Sequence, residues 1–429
     1  MSTTRPSTFA SHVAGSTIED IRSIDMRIGE QSFPIHVTHN NLRALIQKLL
    51  DTVDEFDKLM LGYDINTFEH CGGLLEPVLT SMHVPFERYV IGTTEENKTF
   101  QNLDDALGAF LTAGVSRKSI VMPVGGGIVS NLFGLAASLL FRGIRLVEMP
   151  TTFLNAHDAV TSQKTAVNHS GYKNIVGTFH IPTMVLCDTF FYQTLGESEI
   201  KSGLGELTKN AALFGGEHYE LIEKTTLAHG PELSGEELVE ATFLGIKAKD
   251  ALLCDDPREK HLALLFEYGH TIGHALELTE GINTSHGEGV TIGMLGASYI
   301  SEKMGLMSSA ERERHDAMVT ALQPAMFIEN PDCMEEVLDK IHHDNKRGYL
   351  PERVGFVPMI LAKKCGEIHK PNDMYLEYVP DDLVEEAVMM ILEKFMTPET
   401  ARDAAARRAS IGSVVSPQVS AGSSRRSRL

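Results

Sequence analysis

The sequence predicts an α/β fold in two parts: a Rossmann-like N-terminal domain with a mostly parallel sheet, and an all-helical C-terminal domain that binds a metal. The chain has 429 residues, more than one simple core usually holds, so two domains are expected. From residue 18 to about residue 191, short apolar segments alternate with helical ones, which is typical of a parallel sheet covered by helices. Beyond that point the apolar spacing is helical. We therefore expect domains at 18–193 and 194–396.

The predicted elements of the first domain follow one another in regular order. Strands are predicted at 58–64, 89–91, 119–124, 144–149 and 185–187, the last strand-like segment of the chain, with helices at 103–113 and 130–141. In the second domain, helices are predicted at 199–214, 236–253, 259–280, 289–303, 310–322 and 382–395. The cleft between the two domains is the expected site.

Composition excludes several classes of protein. A formal net charge of −20 argues against a general binder of nucleic acid or anionic membranes. The five cysteines are odd in number and widely scattered, which favours a reducing cytoplasm over a disulfide framework. No apolar segment approaches the ~18 residues of a membrane span. Residues 1–17 are expected to form a flexible arm, and residues 397–429 a disordered basic tail.

A glycine turn joins the predicted strand 119–124 to the helix after it. Gly125, Gly126 and Gly127 would let the backbone approach a ligand closely, and the helix N-terminus offers free N–H groups to a phosphate. The spacing is not that of the G-x-G-x-x-G motif, and a tight packing turn is the alternative. Thr151 and Thr152 follow the next strand, at the sheet edge where open α/β sheets bind ligands. The polar segment 155–168 is predicted to be a functional loop.

A group of histidines predicts a divalent-metal site. Glu267, His270 and His274 follow one another at helical steps of three and four, so they would share one face of the helix predicted at 259–280. His286 comes from the segment that follows. Imidazoles on a rigid face, joined by one more ligand from elsewhere, are typical of an open metal site.

Five motifs, taken together and in this order, resemble the sugar phosphate cyclases, the dehydroquinate synthase-like family. They are GGG at 125–127, PTT at 150–152, SGLGELTKN at 202–210, GHTIGHALE at 269–277 and HGEGVTIGM at 286–294. The resemblance implies a divalent metal, zinc or cobalt, on Glu206, His270 and His286. It also implies NAD, with cofactor contacts at Asp64, Glu95, Glu96, Asn97, Lys98, Gly125, Gly126, Gly127, Ile128, Val129, Thr151, Thr152, Ser162, Gln163, Lys164 and Lys173.

The chain departs from dehydroquinate synthase at three motif positions. Ala263 stands where that enzyme has an arginine for the substrate carboxylate, Glu267 where it has an asparagine, and Asn131 where it has an aspartate. Loss of the arginine suits a substrate without a carboxylate. The segments 266–278 and 343–349 look closest to the 2-deoxy-scyllo-inosose synthase branch, which serves aminoglycoside antibiotic pathways.

The resemblance implies D-glucose 6-phosphate as substrate, with transient oxidation at C4, loss of phosphate, reduction, ring opening and aldol closure. The expected catalytic residues are Lys164, Glu267, Lys209, Lys249 and His274, and Glu267 is predicted to carry a proton transfer. Arg142, Lys346 and Arg347 are further candidates for contacts with the phosphate. A cytoplasmic homodimer is expected.

Other readings stay open at this point. A related cyclase could take sedoheptulose 7-phosphate to a valiolone-type product, or the chain could be a 3-dehydroquinate synthase. The glycerol dehydrogenase group also pairs a GGG turn with helical histidines, but would form NADH. A protein that only binds NAD or a sugar phosphate is the non-enzyme alternative, yet it would not need Lys164, Glu206, His270 and His286 together.

Overall fold

The computed structural model describes residues 20–170, 172–330, 332–344 and 346–396. The predicted N-terminal arm at 1–17 and basic tail at 397–429 lie outside these residues. The described chain forms a twisted, mostly parallel sheet followed by a helical part, as the sequence predicts. The boundary at 193/194 stays a prediction; it falls between the last strand of the large sheet and the first long helix of the helical part.

Seven strands form the large sheet, in the order β1-β2-β9-β6-β5-β3-β4. Only the β1–β2 pair is antiparallel; the other neighbours run parallel. The nine strands of this half are β1 Arg22–Ile28, β2 Gln31–Thr38, β3 Leu59–Asp64, β4 Phe86–Ile91, β5 Ile120–Gly125, β6 Arg145–Pro150, β7 Lys164–His169, β8 Tyr172–Phe179 and β9 Met184–Asp188. Because β3, β4, β5 and β6 are parallel, their carboxyl ends meet at one edge, where the site lies.

Helices cover the sheet and build most of the second half. They are α1 Leu42–Thr52, α2 Gly73–Ser81, α3 Phe100–Thr112, α4 Gly127–Leu139, α5 Glu197–Phe214, α6 Gly216–Lys224, α7 Gly235–Leu253, α8 His270–Leu278, α9 His286–Lys303, α10 Ser309–Ala321, α11 Met334–His342 and α12 Asp381–Phe395. Of these, α1, α2, α6 and α11 were not predicted. Short helical turns occur at Ile65–Thr67 and Thr226–His229. Within the described residues, no helix is long and apolar enough to cross a bilayer.

The segment 155–168 is not the irregular loop that was predicted. Asn155–Ala159 forms one wide helical turn, and β7 then pairs with β8 as an antiparallel hairpin. The hairpin was missed because polar residues hide the strand pattern: side chains on β8 are exposed along almost its whole length. Alternation of apolar and polar residues marks a strand only where one face is buried.

The predicted helix at 259–280 is interrupted. Leu262–Glu267 is a 3₁₀ turn, Gly269 has a left-handed backbone with φ 80°, and α8 begins at His270. A side chain at Gly269 would lie 2.7 Å from the carbonyl oxygen of Val290, so the break lets α8 pack closely on α9. Glu267 therefore does not share a helix face with His270 and His274.

The second half is not purely helical, and 185–187 is not the last strand. Six short strands form three antiparallel pairs, β10 with β11, β12 with β15 and β13 with β14. They are β10 Ile282–Asn283, β11 Phe327–Ile328, β12 Phe356–Met359, β13 Ala362–Lys364, β14 Glu367–Ile368 and β15 Glu377–Pro380. Strands of two to four residues are too short to show a period in the sequence.

One hydrophobic core joins the two halves. Apolar side chains of β1, β2 and β9, among them Met26, Ile35 and Val185, belong to the same buried cluster as the helices of the second half. The ion pair between Arg27 and Asp250 also links β1 to α7, with Nη2 2.5 Å from Oδ2. This shared core holds the carboxyl edge of the sheet against the helices that carry the histidines.

Candidate active site

Three histidines and one glutamate meet at the start of α8 and α9. The ligand nitrogens of His270, His274 and His286 all lie within 4.8 Å of one another. Oε1 of Glu206, on α5, lies 3.6 Å from Nε2 of His270 and 3.9 Å from Nε2 of His286. Residues from three helices thus converge on one small volume, as the motifs imply.

Hydrogen bonds at the far ring nitrogens set which nitrogen of each imidazole is free. Nδ1 of His270 donates to the carbonyl oxygen of Tyr268 at 3.2 Å, and Nδ1 of His286 donates to Oε2 of Glu277 at 2.9 Å. Both Nε2 atoms are left as acceptors directed at Glu206. Metal-binding histidines are held by outer partners in this way.

Burial and charge make Glu206 suitable as a metal ligand. Burial disfavours its ionised form, but Lys209 and His270 hold the pKa of its carboxyl below its ordinary value. One oxygen, Oε2, pairs with Lys209. The other, Oε1, is buried and accepts no hydrogen bond within the described part of the chain. A buried carboxylate oxygen that faces two free imidazole nitrogens fits a divalent cation.

Burial and proton affinity differ between the two histidines beside Glu206. Burial, with Lys209 nearby, lowers the pKa of His270 to about 3, so its imidazole is neutral and able to ligate. Burial acts in the same direction on His286, but the hydrogen bond with Glu277 and the charge of Glu206 raise the pKa of His286 above its ordinary value. His286 therefore holds a proton more tightly than His270 does, and a cation that binds its Nε2 would have to displace that proton.

Glu267 reaches the same cluster from outside α8. Its Oε2 lies 3.1 Å from Nζ of Lys346, which also pairs with Asp344 at 2.7 Å. Burial opposes ionisation of Glu267, yet Lys346 and His270 hold the pKa of its carboxyl well below its usual range. Glu267 is therefore a carboxylate at neutral pH, charged and able to accept a hydrogen bond.

Lys249 forms a second buried ion pair beside the cluster. Its Nζ lies 2.6 Å from Oδ1 of Asp158 and 4.0 Å from the ring centre of Phe266. Burial opposes both charges, but each charge favours the other: the pKa of Lys249 is raised and the pKa of Asp158 is lowered. Phe266 also lies under Lys209, 5.2 Å from Nζ to the ring centre, so one ring supports two of the predicted catalytic lysines.

Lys164 begins β7 and connects the hairpin to the helical half. Its Nζ lies 2.5 Å from Oε2 of Glu259, and the side-chain amide of Gln163 donates to the carbonyl oxygen of Pro257 at 3.0 Å. Lys173, on β8, is 4.0 Å from Glu277. Ser162 donates to the carbonyl oxygen of Ala159, within the turn before β7. The predicted cofactor residues 162–164 and 173 therefore lie between the two halves.

The glycine turn lies at the carboxyl edge of the sheet, as predicted. Gly125 ends β5, and Gly126 precedes the first residue of α4, Gly127. No side chain caps this 13-residue helix, and a Cβ at Gly127 would meet no atom within 4 Å, so open space lies before the helix N-terminus. The backbone N–H of Thr151 donates to the carbonyl oxygen of Gly125 at 3.0 Å, which ties the PTT segment to the turn. This cradle fits the pyrophosphate of a dinucleotide.

The remaining predicted cofactor residues lie at the same edge. Asp64 ends β3 and caps the following turn by accepting from the backbone N–H of Thr67 at 2.8 Å. Nζ of Lys98 lies 3.2 Å from Oε1 of Glu95, which also accepts from the side-chain amide of Asn168. The others are Glu96 and Asn97, in the turn after β4, Ile128 and Val129, in the first turn of α4, and Thr152, directly after β6.

A cavity of about 450 Å³ adjoins these groups, between β6, α4 and the hairpin. Its lining includes Ser130, Glu148, Asp158, Lys164 and Lys249. Burial raises the pKa of Glu148 to about 8, and its Oε2 accepts no hydrogen bond within the described residues. A neutral carboxylic acid thus lies in the wall of a cavity whose other carboxylates and lysines form ion pairs.

The three positions that depart from dehydroquinate synthase lie in different surroundings. Ala263 is 2% exposed, and its backbone N–H donates to Oδ2 of Asp256 at 3.0 Å, so no cation stands at this position. Asn131 donates from its side-chain amide to the carbonyl oxygen of Gly127 at 2.8 Å and lines the cavity described above. Glu267 contacts Lys346.

One residue that was predicted to bind the phosphate lies far from the candidate site. Arg142 lies in the turn that joins α4 to β6, at the opposite edge of the sheet from the glycine turn. The 13 residues of α4, at ~1.5 Å each, separate the two positions by about 20 Å. Lys346 does reach the cluster, through Glu267. Arg347 lines a separate cavity of about 710 Å³ beside Lys346.

Several site residues were missed by sequence reasoning. Glu277 belongs to the GHTIGHALE motif and lies one turn after His274, so the helical spacing could have identified it. Asp158 lies in the polar segment, but nothing in the sequence links it to Lys249, 91 positions later. His157 is buried, its Nε2 has no hydrogen-bond partner among the described residues, and burial lowers its pKa to about 4. The sequence carries no signal for that burial.

Comparison with known proteins gives a consistent family match. The model of the 3-dehydroquinate synthase N-terminal domain matches residues 88–202, and that of the C-terminal domain matches residues 203–347. A 2-deoxy-scyllo-inosose synthase of Micromonospora echinospora is 33% identical over 365 residues, which cover 85% of this chain and 91% of that protein.

Solved structures agree with the sequence comparison. A 2-deoxy-scyllo-inosose synthase complexed with carbaglucose-6-phosphate, NAD⁺ and Co²⁺ has a TM-score of 0.78 and 29% identity, covering 87% of this chain and 100% of that one. A 2-epi-5-epi-valiolone synthase from Streptomyces hygroscopicus subsp. jinggangensis, with NAD⁺ and Zn²⁺ bound, has a TM-score of 0.69 and 26% identity, covering 86% and 98%. The predicted combination of a mostly parallel sheet and a largely helical C-terminal part is thereby confirmed.

Proposed function

The chain belongs to the 3-dehydroquinate synthase family, and on this premise we propose that it forms 2-deoxy-scyllo-inosose and phosphate from D-glucose 6-phosphate. This choice of substrate is supported by the surroundings of two positions at which the chain differs from dehydroquinate synthase, Ala263 and Glu267. Ala263 offers no charge to a substrate carboxylate, and Glu267 places a carboxylate where an amide is expected. Such a site suits a polyhydroxylated, uncarboxylated sugar.

Glu206, His270 and His286 would hold one divalent cation, zinc or cobalt, with Glu277 and the carbonyl of Tyr268 orienting the imidazoles. A bound cation supplies Lewis acidity, which lowers the pKa of the hydroxyls it ligates. His274 lies beside both imidazoles, 4.9 Å and 5.6 Å between ring centres, and is assigned to orienting the substrate.

The glycine turn, the PTT segment and the Glu95–Lys98 pair would hold NAD at the carboxyl edge of the sheet. Bound NAD⁺ would supply a transient oxidation of the sugar, which is reversed before the product leaves. The cofactor is therefore needed in catalytic amounts only.

Charged side chains supply the acid–base chemistry in this proposal. Glu267, held as a carboxylate by Lys346 at Oε2, is assigned to the proton transfer from the bound sugar. Lys209 and Lys249, already paired with Glu206 and Asp158, stabilise negative charge that develops on sugar oxygens. Lys164 lies at the outer end of the cavity, half exposed, and is assigned to the departing phosphate.

Elimination of phosphate makes the enzyme a carbon–oxygen lyase, and the product suits a 2-deoxystreptamine-type aminoglycoside pathway. A cytoplasmic homodimer stays our prediction.

Phosphate release from glucose 6-phosphate is the deciding experiment. We expect release with catalytic NAD⁺ and a divalent metal, no net NADH, and 2-deoxy-scyllo-inosose as product. The same assay with sedoheptulose 7-phosphate tests the second candidate, favoured by the similarity to the valiolone synthase structure. Faster turnover of sedoheptulose 7-phosphate would overturn the choice of glucose 6-phosphate. NADH accumulation would indicate a dehydrogenase instead.

A further inference from the structure

We infer that Tyr268, His315 and Asp316 form a hydrogen-bond chain that positions the metal ligand His270, so that α10 sets the geometry of the metal site. Tyr268 and His315 are both fully buried, and neither belongs to the ligand set. The inference rests on the metal site of the proposed function. It adds three positioning residues, two of them on a helix that carries no ligand.

The donor and the acceptor in each bond of the hydrogen-bond chain follow from the groups involved. Nδ1 of His315 lies 2.9 Å from Oδ1 of Asp316, and a carboxylate only accepts, so Nδ1 donates. In a neutral imidazole this leaves Nε2 as the acceptor. Nε2 lies 3.0 Å from Oη of Tyr268, so the tyrosine hydroxyl donates to it.

At its inner end, the hydrogen-bond chain continues through the backbone of Tyr268. Its carbonyl oxygen accepts from Nδ1 of His270 at 3.2 Å, which leaves Nε2 of His270 facing Glu206. Gly269, between the two residues, is tightly enclosed: a Cβ there would lie 2.7 Å from Cγ of Met294. Tyr268 is therefore held at its hydroxyl by α10 and at its carbonyl by His270, next to a glycine that has no room for a side chain.

The outer end of the chain is anchored as well. Asp316 accepts from Oγ of Ser298 at 2.7 Å and lies 3.3 Å from Nε of Arg312. Arg312 in turn donates to Glu302 at 2.6 Å. Ser298 and Glu302 belong to α9, the helix that begins at His286, so the network joins α10 to both segments that carry the ligand histidines.

A purely structural role would not require these residue types. Well-packed apolar side chains of similar volume usually stabilise a core as well as a buried polar network does. What a fully bonded network adds is one defined arrangement of its members. Here that arrangement ends on a metal ligand, at the point where small displacements change affinity.

The test is Tyr268→Phe, which removes Oη and keeps the ring. Loss of a direct outer partner of a ligand typically costs about 10–100-fold in metal affinity. The hydroxyl of Tyr268 acts on His270 only indirectly, through the position of the Tyr268 carbonyl. We therefore expect a loss at the lower end of that range, an increase of about tenfold in the Kd for Co²⁺. The visible absorption bands of the bound Co²⁺ should also shift. Both readouts are independent of turnover.

Tyr192→Phe is the matched control. Tyr192 is also buried, and its Oη bonds Sγ of Cys187 at 3.2 Å and Oγ1 of Thr242 at 3.4 Å, partners that do not contact the metal cluster. We expect it to lower the melting temperature by about as much as Tyr268→Phe while Co²⁺ affinity stays as in the wild type. Equal losses of affinity in both variants, or wild-type affinity in Tyr268→Phe, would overturn the inference.

A second variant tests whether the chain acts as a unit. His315→Gln should weaken Co²⁺ binding too. The double variant with Tyr268→Phe should bind Co²⁺ no more weakly than the single variant with the lower affinity. Additive losses would show independent effects and contradict a connected chain. A wild-type protein that binds no Co²⁺ would overturn the metal site of the proposed function, whereas normal wild-type binding with an unaffected Tyr268→Phe overturns this inference alone.

Discussion

Nζ of Lys346 lies 3.1 Å from Oε2 of Glu267, although the two residues are 79 positions apart in the chain. The pair holds a carboxylate next to His270 and His274, and its cation keeps the pKa of that carboxyl well below its usual range in spite of burial. A charged acceptor at this place is what separates the site from one that carries an amide there.

We predict that Glu267→Gln lowers the turnover of glucose 6-phosphate by about 10²–10⁴-fold, the usual contribution of a general acid or base. Glutamine keeps the shape of the side chain, so metal and NAD stoichiometry should be unchanged. Phosphate release at saturating substrate measures the effect. Glu217→Gln, which breaks the exposed pair with Lys247, is the control and should turn over normally. A wild-type rate in Glu267→Gln would reduce Glu267 to a hydrogen-bonding group.

Glu277→Gln should weaken metal binding by about 10-fold or more, because an outer carboxylate orients a ligating imidazole and raises its basicity. Oε2 of Glu277 accepts from Nδ1 of His286 at 2.9 Å. Competition with a chelator measures the Kd. The control is Glu336→Gln, which loses an exposed pair with Lys340. Unchanged affinity in Glu277→Gln would mean that His286 needs no orienting partner.

Carboxylated sugar phosphates should be poor substrates because of Ala263. A carboxylate brought into a closed site without a partner loses its hydration without compensation, a cost of at least about 2 kcal/mol, or 30-fold. We therefore expect kcat/KM for the 3-dehydroquinate synthase substrate to lie at least that far below the value for glucose 6-phosphate. Comparable values for the two sugars would show that another cation serves the carboxylate.

Glu148→Gln should stabilise the protein at alkaline pH. Burial raises the pKa of Glu148 from 4.5 to about 8, so the folded state holds a proton that the unfolded state releases above pH 4.5. The contribution of Glu148 to the free energy of unfolding therefore falls as the pH rises from about 4.5 to 8, and it is constant above that range. At ~1.4 kcal/mol for each pKa unit, the full effect is a few kcal/mol.

Melting temperatures of wild type and Glu148→Gln across this range provide the measurement. The difference should be small near pH 4.5 and largest at about pH 8. Glu55→Gln removes an exposed carboxylate paired with Lys118, and its melting temperature relative to the wild type should not rise with pH. A difference that stays constant with pH would mean that Glu148 is ionised in the folded protein.

The sequence by itself determined the fold class, the strands β3 to β6 and β9, most of the long helices, the glycine turn and the histidine cluster. Repeating apolar spacing reports which face of a segment is buried, and this is a local property that needs no knowledge of neighbours. The spacing of His270 and His274 placed both imidazoles on one helix face, as found in α8. The family motifs, rather than spacing, added Glu206, which the fold brings to 3.6 Å from His270.

Only the tertiary structure decided which charges meet. The turn at Gly269 removed Glu267 from the face of α8, and packing against Lys346 returned it to the cluster from another direction. The hairpin β7–β8 was invisible because almost all of β8 is exposed, and Arg142 proved to lie at the wrong edge of the sheet. Contacts such as that between Tyr268 and His315 depend on how distant helices pack, and packing leaves no periodic trace in the segments that it joins.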